Sequence, residues 1–488
     1  MTDPELDTDI LIVGAGPVGL FLANECARRR IRCMLIESRP AQSEHSKALA
    51  VMPRTMEIFD MAGIAAPFEE SANRVTSIAM TKPSGTLARM PFAPKESPYP
   101  YVSMVPQDVT EQILSEQLRR KSGDVDYRTN FVSAVQSEHC VAANVESNDK
   151  TREIRAAFLV GCDGAHSAVR HSLDLRFQGK AYDAFFMLAD IETNESLPAS
   201  EMQLCPSEFG PLAIFPMSPT RRRLVATVTK EGPGEPSLEI VRRLLAERGP
   251  RGMEALGIHW SSYFRVHHRQ VERLRLGRIF LAGDAAHIHS PIGGQGMNTG
   301  LDDVWNLAWK LDFAVRGFAR QQLLDSYDIE RSPIIRGVIE MTDLMTKGLG
   351  TPSKAAQIAR DLAIPLLFRL RPFQHMMVQR LSHLGISYAA SPIVLGDGQR
   401  YFDSSLRGGG LCSKFILMIG NGAERSAARQ AERLSTDMSD VLELRTVPGG
   451  CVRLVRPDGY IAYEAAKGGA DAIKRISSLL DAMIAGST

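Results

Sequence analysis

The sequence predicts an α/β protein in which strands run through glycine-rich turns into helices, with a smaller α/β unit at the C-terminus. Three observations point to this class. A strand–helix–strand pattern of about 30 residues occupies residues 10–37, and two further apolar strands, ending near Gly161 and Ala282, each lead into a turn containing glycine and aspartate. After Pro392, short apolar runs alternate with helical patterns. Such alternation is typical of sheets covered by helices.

Composition limits the kind of protein. The chain has 488 residues, 44% of them hydrophobic, which is enough for two or three domains, and its net charge of +1 gives no sign of a nucleic-acid partner. The seven cysteines are scattered and form no CxxC pair, so we predict neither a disulfide framework nor a zinc site. The N-terminus lacks the features of a signal peptide, and no apolar run reaches the roughly 20 residues of a membrane span. We therefore expect a cytoplasmic protein.

The first glycine-rich turn, GAGPVG, joins the first strand to a helix. We expect Gly14 to make the tight turn, Gly16 to let the backbone approach a pyrophosphate, and Gly19 to let the helix pack closely on the strand. Glu37 ends the second strand, where a carboxylate can accept hydrogen bonds from ribose hydroxyls. An isolated GxGxxG is weak evidence, but the strand, helix and acidic residue in register predict an adenine-dinucleotide site. This unit alone does not distinguish NAD from FAD.

The second turn lies in FLVGCDGAHSAVR, residues 158–170. An apolar strand meets Asp163 and Gly164, and Ser167 is expected to cap a short helix that carries Arg170. Taken alone, this pattern equally describes an ordinary Asp-Gly turn with a serine cap. Its meaning depends on the other two turns.

The third turn lies in GRIFLAGDAAHIHSPIGGQGMN, residues 277–298. Its strand breaks at Asp284, turns at Pro291 and passes Gly293, Gly294 and Gly296 into a long helix. A strand that leads through glycines to a helix N-terminus suits an anionic or electron-rich group, because unpaired N–H groups and the positive end of the helix dipole meet there.

Two histidines of this region are candidates for metal ligands. His287 and His289 have the spacing of neighbours on one face of a strand, but the sequence places no acidic or cysteine partner nearby. We therefore predict no metal site and expect His287 to order the turn. His259, His267 and His268 are expected to be sheet residues, and no acid or base is assigned.

In this order and at these spacings, the three turns resemble the single-component FAD-dependent aromatic hydroxylases, the family of para-hydroxybenzoate hydroxylase and phenol hydroxylase. Further matches are PRTMEIFDMAGI, VPQDVTEQIL, NLAWKL, SYAASP and VRPDGYIAY, so the resemblance covers nearly the whole chain. It implies a Rossmann-like FAD-binding domain of the glutathione reductase type, an inserted β-sheet substrate domain and a thioredoxin-like C-terminal domain. The implied boundaries are 1–74, 101–180 and 277–390 for the FAD-binding domain with its helical extension, 75–100 and 181–276 for the substrate domain, and 391–488 for the thioredoxin-like domain without CxxC.

The resemblance also implies roles for individual residues. Asp163 would serve both FAD and NAD(P)H, and Asp284 would bind the ribityl chain. Lys47 stands where many members carry arginine, so its contact would be that of a point charge. The implied cofactor-binding residues are Gly14, Gly16, Gly19, Glu37, Arg39, Lys47, Gln107, Asp163, Asp284, Pro291, Gly294, Gly296, Met297 and Asn298. The implied catalytic positions are Pro291, beside the reactive flavin carbon, and Gly294, at the helix end.

The activity implied by the resemblance is hydroxylation of a small aromatic substrate with FAD, NAD(P)H and dioxygen, through a flavin hydroperoxide that must be kept from water. A disulfide reductase of the related type would have a second GxGxxG for its nicotinamide cofactor. This sequence shows none. The alternatives on the same scaffold are Baeyer–Villiger insertion, epoxidation, and oxidative dehalogenation or denitration. An alternative of another class is a flavin-bound regulatory module without oxygenation.

The substrate domain is expected to contain strands at 187–192, 211–216, 224–228 and 259–271, a turn at 218–223, and an edge strand and loop from 75–100. Where para-hydroxybenzoate hydroxylase holds a carboxylate with arginine, this chain has Phe215 to Met217. The resemblance therefore implies an apolar or polycyclic phenol that contacts Phe215 and Met217. The alternative is that both residues are simply core.

The remainder is expected to be helical at 311–315, 325–349 and 355–384, with interruptions at Pro365 and Pro372. The C-terminal unit is expected to form strands near 413–420, 441–447, 452–455 and 461–463, and helices near 425–435 and 470–484. Without CxxC, we expect either a structural or a dimer-forming role for it, and the second alternative would give a homodimer.

Overall fold

The computed structural model describes residues 5–43, 46–228, 234–411, 413–466 and 469–484, and the side chains of 180–184 and 266–267 are left aside. The helices are α1 (Pro17–Arg29), α2 (Pro53–Met61), α3 (Ala65–Ser71), α4 (Gln107–Arg120), α5 (Ala168–Ser172), α6 (Leu238–Arg248), α7 (Gly296–Val315), α8 (Gln321–Leu349), α9 (Lys354–Leu367), α10 (Arg371–Leu381), α11 (Arg425–Asp437) and α12 (Ala470–Met483), with single 3₁₀ turns at Gly283–Ala285 and Ser404–Leu406.

The strands are β1 (Thr8–Val13), β2 (Cys33–Glu37), β3 (Ala50–Val51), β4 (Asn73–Val75), β5 (Ser77–Lys82), β6 (Gly85–Pro91), β7 (Val102–Met104), β8 (Val125–Tyr127), β9 (Thr129–Gln136), β10 (Val141–Ser147), β11 (Lys150–Gly161), β12 (Phe177–Thr193), β13 (Glu201–Cys205), β14 (Leu212–Pro216), β15 (Arg221–Val228), β16 (Ala255–Val271), β17 (Arg275–Leu276), β18 (Ile279–Leu281), β19 (His287–Ile288), β20 (Phe415–Gly420), β21 (Leu442–Val447), β22 (Val452–Val455) and β23 (Ile461–Ala465).

The first sheet brings the three glycine-rich turns to one edge. Its strands follow the order β17-β18-β11-β1-β2-β8, and β9 and β10 are attached through β11. β1 pairs in parallel with β2 and β11, and β11 pairs in parallel with β18. Val13 lies beside Gly161, and Gly161 beside Leu281. Since parallel strands end at the same edge of a sheet, the turns that follow β1, β11 and β18 lie next to one another.

The second sheet has the order β19-β16-β12-β15-β14-β13-β5-β6. The predicted edge strand from 75–100 is present as the hairpin β5–β6, with β6 at the edge. The predicted turn at 218–223 is too long, because β15 already begins at Arg221. Ser218 Oγ accepts from the backbone N–H groups of Thr220 and Arg221, which closes the turn within a few residues.

An apolar cluster lies between the second sheet and helices α8 to α10, and we call it the sheet–helix cluster. It joins sheet residues such as Phe186 and Phe215 to Val378 and Leu381 of α10. Its further members include Ala50, Met52, Leu188, Met202, Ile292, Leu349 and Phe368, and Met217, Met341, Met345, Phe373 and Met377 pack against it partly buried. Methionine side chains are flexible and polarizable, so the cluster can adapt its shape.

Helices α8 to α10 lie in the region that was predicted to be helical, but the interruption between helices lies at a different place from the predicted one. Pro365 lies inside α9 and does not end it, whereas the chain breaks at residues 368–370. Pro372 falls in the first turn of α10. A proline there removes an N–H that has no helical partner in any case, so it starts a helix rather than interrupting one.

The C-terminal unit has the implied thioredoxin-like arrangement. Its sheet has the order β21-β20-β22-β23, in which β20 and β21 are parallel and β22 is antiparallel to both its neighbours. Its core includes Trp309 and Phe313 of α7 and Leu323 of α8, so the unit packs directly on these two helices. The residue boundaries of the three domains stay a prediction.

A buried ionic cluster, the Glu330 network, fastens the C-terminal unit to α7 and α8. Glu330 accepts from Nη1 and Nη2 of Arg456 at 2.6 and 2.9 Å, and from Lys310 Nζ at 2.8 Å. Arg456 also pairs with Asp458, whose carboxylate accepts from Trp309 Nε1 at 3.1 Å. Burial alone would raise the pKa of Glu330, but Arg456 and Lys310 hold it below its ordinary value. The carboxylate is therefore ionised and paired without solvent.

Replacing Glu330 tests this network. Glu330→Ala leaves Arg456 and Lys310 buried without their shared counter-charge, and we expect a loss of about 3–5 kcal/mol of stability. Thermal unfolding followed by circular dichroism measures it. The matched control is Glu192→Ala, which removes the exposed pair with His259 and should leave the melting temperature nearly unchanged, because solvent screens exposed ion pairs. Equal melting temperatures for Glu330→Ala and the wild type would contradict the assignment.

Among the described residues, no helix combines the length and the apolarity that a membrane crossing requires.

Candidate functional site

The first and second turns are in direct backbone contact. Gly14 has a φ of +101°, and a Cβ at this position would lie 2.6 Å from the carbonyl oxygen of Cys162. Only glycine combines this conformation with so close an approach. At Gly19, a Cβ would lie 1.9 Å from the carbonyl oxygen of Gly14. The tight turn and the close helix packing predicted for these two glycines are therefore present.

Gly16 faces open space. No heavy atom of the described residues lies within 4 Å of the position that its Cβ would take, in contrast to Gly14 and Gly19. Gly16 caps α1 without a side-chain hydrogen bond, and its carbonyl accepts from the N–H of Leu20. The preceding N–H groups of this first turn have no helical acceptor, so donors and the positive end of the dipole border the open space.

Glu37 ties the end of β2 to the first turn. Its Oε2 accepts from the N–H of Ala15 at 2.8 Å, and its Oε1 accepts from N and Nε of Arg39, both at 3.0 Å. Burial would raise the pKa of Glu37, but the hydrogen bonds from Arg39 and Ala15 lower it below its ordinary value. Glu37 is thus an ionised carboxylate beside the glycines. Its hydrogen bonds to a ribose stay a prediction.

Asp163 presents an unused oxygen on the second turn. Its Oδ2 accepts from the N–H of Val169 at 3.1 Å, while its buried Oδ1 has no hydrogen-bond partner in the described part of the chain. Burial raises the pKa of Asp163. Arg170, on the helix capped by Ser167, donates to the carbonyl of Ala285 at 3.0 Å and so joins the second turn to the third.

Asp284 lines a recess on the third turn. Its surface is exposed to solvent, yet burial raises its pKa, against the charges of His287 and Lys47. Exposure and a raised pKa are both expected for a carboxylate that borders a water-accessible cavity and has protein on most other sides. Lys47 itself is exposed and close enough to influence this carboxylate.

The glycines after Pro291 form a tight turn into α7. The N–H of Gly294 donates to the carbonyl of Pro291 at 3.1 Å, and Gly294 has a φ of +65°. A Cβ at Gly294 would lie 3.0 Å from the Cβ of Ala50. Helix α7 makes its first bond from the N–H of Thr299 to the carbonyl of Gln295. The N–H groups of residues 296–298 therefore have no acceptor within the helix.

Asn298 is a structural bridge. Its Oδ1 accepts from the N–H of Met52 and from Thr55 Oγ1, both at 2.8 Å, and its Nδ2 donates to the carbonyls of Ala50 and Gly294 at 2.8 and 2.9 Å. All capacity of the amide is used within the protein. A cofactor contact of Asn298 would therefore use its backbone N–H. The Met297 side chain is buried in the core.

Gln107 orders the segment that carries Lys47. Its Oε1 accepts from the N–H of Ala48 at 3.0 Å, and its Nε2 donates to Glu111 at 2.9 Å. The same segment is held from the second sheet by Arg223, which donates to the carbonyls of Lys47 and Ala48 at 3.1 and 2.9 Å. The flavin contact implied for Gln107 stays a prediction.

Arg223 lies in β15 and not in a turn, and no sequence motif marks it as part of the site. Arg223 lies directly across from Phe215 in the sheet, and facing residues of paired strands share one face. Its Nε and Nη2 donate to the two oxygens of Asp190 at 2.7 and 2.8 Å, and both side chains are buried. The charge of this arginine is therefore neutralised within the sheet.

Phe215 and Met217 meet the third turn through the sheet–helix cluster. Phe215 is buried and Met217 partly buried in the cluster that also contains Met52 and Ile292. Ile292 precedes the glycines of the third turn. The two predicted substrate residues thus belong to the same apolar cluster as a residue of the implied catalytic turn.

The expectation that His287 has no acidic partner is wrong. Its Nε2 lies 2.7 Å from Asp303, which also accepts from the N–H of Gly283 at 3.1 Å and from Arg331 Nε at 2.8 Å. Helix α7 places Asp303 next to the strand that carries His287. The spacing of the two residues in the sequence does not reveal this contact. His287 and Asp303 hold the third turn on α7, as expected for a residue that orders it. Among the described residues, no three His, Cys, Asp or Glu side chains are grouped to bind a metal.

A second buried imidazole was missed altogether. His383, after α10, contacts Asp302 of α7 through Nδ1 at 2.7 Å and Gln295 through Nε2. Gln295 donates to the carbonyls of Gly293 and Leu381 at 2.9 and 3.2 Å. The end of α10 is thereby fixed to the glycines of the third turn. No local motif marks His383, since its partners lie far away in sequence.

Asp303→Asn tests the support of the third turn. Burial opposes ionisation of Asp303, but Arg331 and His287 keep its pKa below the ordinary 3.8. A carboxylate with a lowered folded-state pKa stabilises the protein fully above its ordinary pKa and loses this effect as the pH falls through the folded-state value. Near neutral pH we expect Asp303→Asn to lose about 3–5 kcal/mol, because Arg331 stays buried and unpaired.

The measurement is urea unfolding of both proteins from neutral to acidic buffers. The difference between them should shrink below pH 3.8, the ordinary value for this carboxyl. A difference that is constant over the whole range would show that the charge of Asp303 does not support the fold.

Comparison with known proteins agrees with this geometry. A family model described as an FAD binding domain matches residues 7–342. The 6-methylpretetramide 4-monooxygenase of Streptomyces rimosus is 31% identical over 517 residues, which cover 96% of this chain and 92% of that protein.

Solved structures of similar shape span the whole chain. The anhydrotetracycline hydroxylase OxyS of Streptomyces rimosus superimposes with a TM-score of 0.81 at 28% identity, covering 98% of this chain and 100% of that one. CabE, an aromatic hydroxylase from angucycline biosynthesis, gives a TM-score of 0.76 at 27% identity, covering 96% and 99%.

Proposed function

The chain belongs to the FAD-binding-domain family of FAD-dependent aromatic hydroxylases, and from this premise we propose that it uses NAD(P)H and dioxygen to hydroxylate an apolar polycyclic phenol. The observation that carries the choice of substrate is Arg223. It lies on the same sheet face as Phe215, but its charge is already paired with the carboxylate of Asp190. A carboxylate substrate would have to displace a buried ion pair, whereas a neutral ring system would not.

The residues of the three turns fit FAD. Gly16 leaves space where a side chain would stand, and the N-terminus of α1 borders this space with donors suited to a pyrophosphate. The orphaned Oδ1 of Asp163 and the recess-lining carboxylate of Asp284 can accept from hydroxyl groups. We assign the diphosphate to the first turn and the ribityl side to the second and third turns.

The N-terminus of α7 is assigned to the ring system. When bound, FAD accepts a hydride from the nicotinamide and activates dioxygen for transfer to an aromatic ring. The free N–H groups of residues 296–298 and the dipole of α7 favour negative charge at the edge they face. The position of Gly294 requires glycine, because its φ is +65° and a Cβ there would crowd Ala50. Pro291 and Gly294 are thus proposed to act through backbone geometry.

The sheet–helix cluster supplies the apolar surroundings. Phe215, Met217 and Ile292 belong to one contact group that reaches from the second sheet to the third turn. An apolar group of this kind excludes water from the reacting centre, which protects the activated oxygen. The names of the 6-methylpretetramide 4-monooxygenase and of CabE, an aromatic hydroxylase from angucycline biosynthesis, support an aromatic substrate here.

Substituting Gly16 tests the cofactor assignment. The Cβ of Gly16→Leu would meet no atom of the described residues within 4 Å. We therefore expect the fold to persist while FAD binds about 10–100-fold more weakly, the cost of roughly 1–3 kcal/mol for overfilling a site. Quenching of flavin fluorescence gives the dissociation constant. Gly337→Leu is the matched control, because Gly337 is exposed and likewise has no neighbour within 4 Å. Unchanged FAD affinity in Gly16→Leu would place the cofactor elsewhere.

The activity is tested with a panel of phenols. We expect polycyclic phenols to accelerate NAD(P)H oxidation and to yield products that gain one oxygen atom, with benzoates that carry a carboxylate performing worse. Mass spectrometry of the products separates ring hydroxylation from insertion, epoxidation or loss of a substituent. Absence of any oxygenated product over the panel would leave the flavin-bound regulatory module as the better description.

A further inference from the structure

His289 is a buried imidazole, and its Nε2 has no hydrogen-bond partner among the described residues. The residue is 8% exposed and follows β19, at the seam between the two large sheets. Its Nδ1 lies 3.0 Å from the carbonyl of Ser290, so Nδ1 carries the proton and donates. The buried Nε2 is then an acceptor, and it has no hydrogen-bond partner among the described residues.

The unpartnered edge of this imidazole faces the start of α7. A Cβ at Gly296 would meet only Cε1 and Nε2 of His289, each at 3.8 Å, with no other atom nearer. Gly296 itself is only partly buried, so there is room beside this edge. His289 therefore borders the same space as the free N–H groups of residues 296–298.

The imidazole stays neutral in this place. Burial and, to a smaller extent, the neighbouring His287 together lower the pKa of His289 to about 3, against the hydrogen bond to Ser290. The rings of His287 and His289 are nearly parallel, with centroids 6.4 Å apart, but Nε2 of His287 is taken by Asp303. His289 is thus an acceptor that does not gain a proton in ordinary buffers, and it is unsuited to act as a base.

A buried acceptor without a partner destabilises the protein unless a donor reaches it. We propose that Nε2 of His289 accepts a hydrogen bond from an N–H or O–H donor of the ligand bound against the N-terminus of α7. Such a ligand presents an acceptor to the helix N–H groups and a donor to His289 side by side. The imide edge of a flavin ring and the hydroxyl of a phenol both have this chemistry.

This inference rests on the proposed function and makes His289 a positioning residue within it. The residue orients the ligand and takes no part in proton transfer. Its role differs from that of His287, which holds the third turn on α7 through Asp303.

The test compares two substitutions by ligand binding alone. His289→Leu removes the acceptor, and His289→Gln places an amide oxygen near the position of Nε2. FAD affinity is measured by fluorescence quenching, and the affinity of the FAD-loaded protein for a polycyclic phenol by shifts of the flavin absorption spectrum. We expect His289→Leu to weaken one of these affinities about 10-fold, while His289→Gln restores it to within about 3-fold of wild type.

The affinity that changes identifies the donor: the cofactor if FAD binding weakens, the substrate if only phenol binding weakens. His259→Leu is the control, since His259 is an exposed histidine paired with Glu192, and both affinities should be unchanged. If His289→Leu does not fold, His289→Asn replaces it, because this polar side chain is too short to reach the position of Nε2.

The inference is overturned if the wild type binds FAD and phenol and a folded His289→Leu or His289→Asn binds both equally well. It is also overturned if His289→Gln is as impaired as His289→Leu, since shape and not the acceptor would then matter. A wild type that binds neither ligand would instead refute the proposed function.

Discussion

The position of helix α7 is the constraint on which the rest of the structure depends. The helix begins at the glycines of the third turn, and it is buried from Met297 to Phe313. Polar side chains fix it at successive levels: Asn298 to the segment of Ala50 and Met52, Asp303 to the third turn, and Lys310 to the Glu330 network. A shift of α7 would break several of these contacts at once, so its N-terminus is held in one place.

The same helix explains why a C-terminal unit without redox cysteines is part of the protein. Trp305 and Trp309 donate to the carbonyl and the carboxylate of Asp458, and Arg456 reaches Glu330 on α8. These contacts cover the far end of α7 and replace solvent with paired charges. Buried pairs of this kind add specificity of arrangement more surely than net stability. The C-terminal unit therefore contributes to function by fixing a helix whose other end faces the site.

The sequence predicts the features of this fold that depend on neighbouring residues, but not the contacts between residues that are distant along the chain. The turns at Gly14, Asp163 and Gly294 were located correctly, because strand, glycine and helix signals are local. The pairs that organise the site were not, since His383 and Asp302 are 81 residues apart, and Arg223 and Asp190 are 33 apart. Pro365 was also misjudged, since it lies in the last turn of α9 and the helix ends only after it.

The unsatisfied atoms of the three turns and the start of α7 carry a further argument about what binds there. Those with no hydrogen-bond partner in the described chain include the acceptors Asp163 Oδ1, His289 Nε2 and Asp302 Oδ1. The helix N-termini beside them offer only donors. A ligand made of phosphates alone would satisfy the helices and leave the acceptors unpaired. A ligand that joins phosphate, hydroxyl groups and a ring with N–H and C=O groups satisfies both sets, and this combination is what FAD provides.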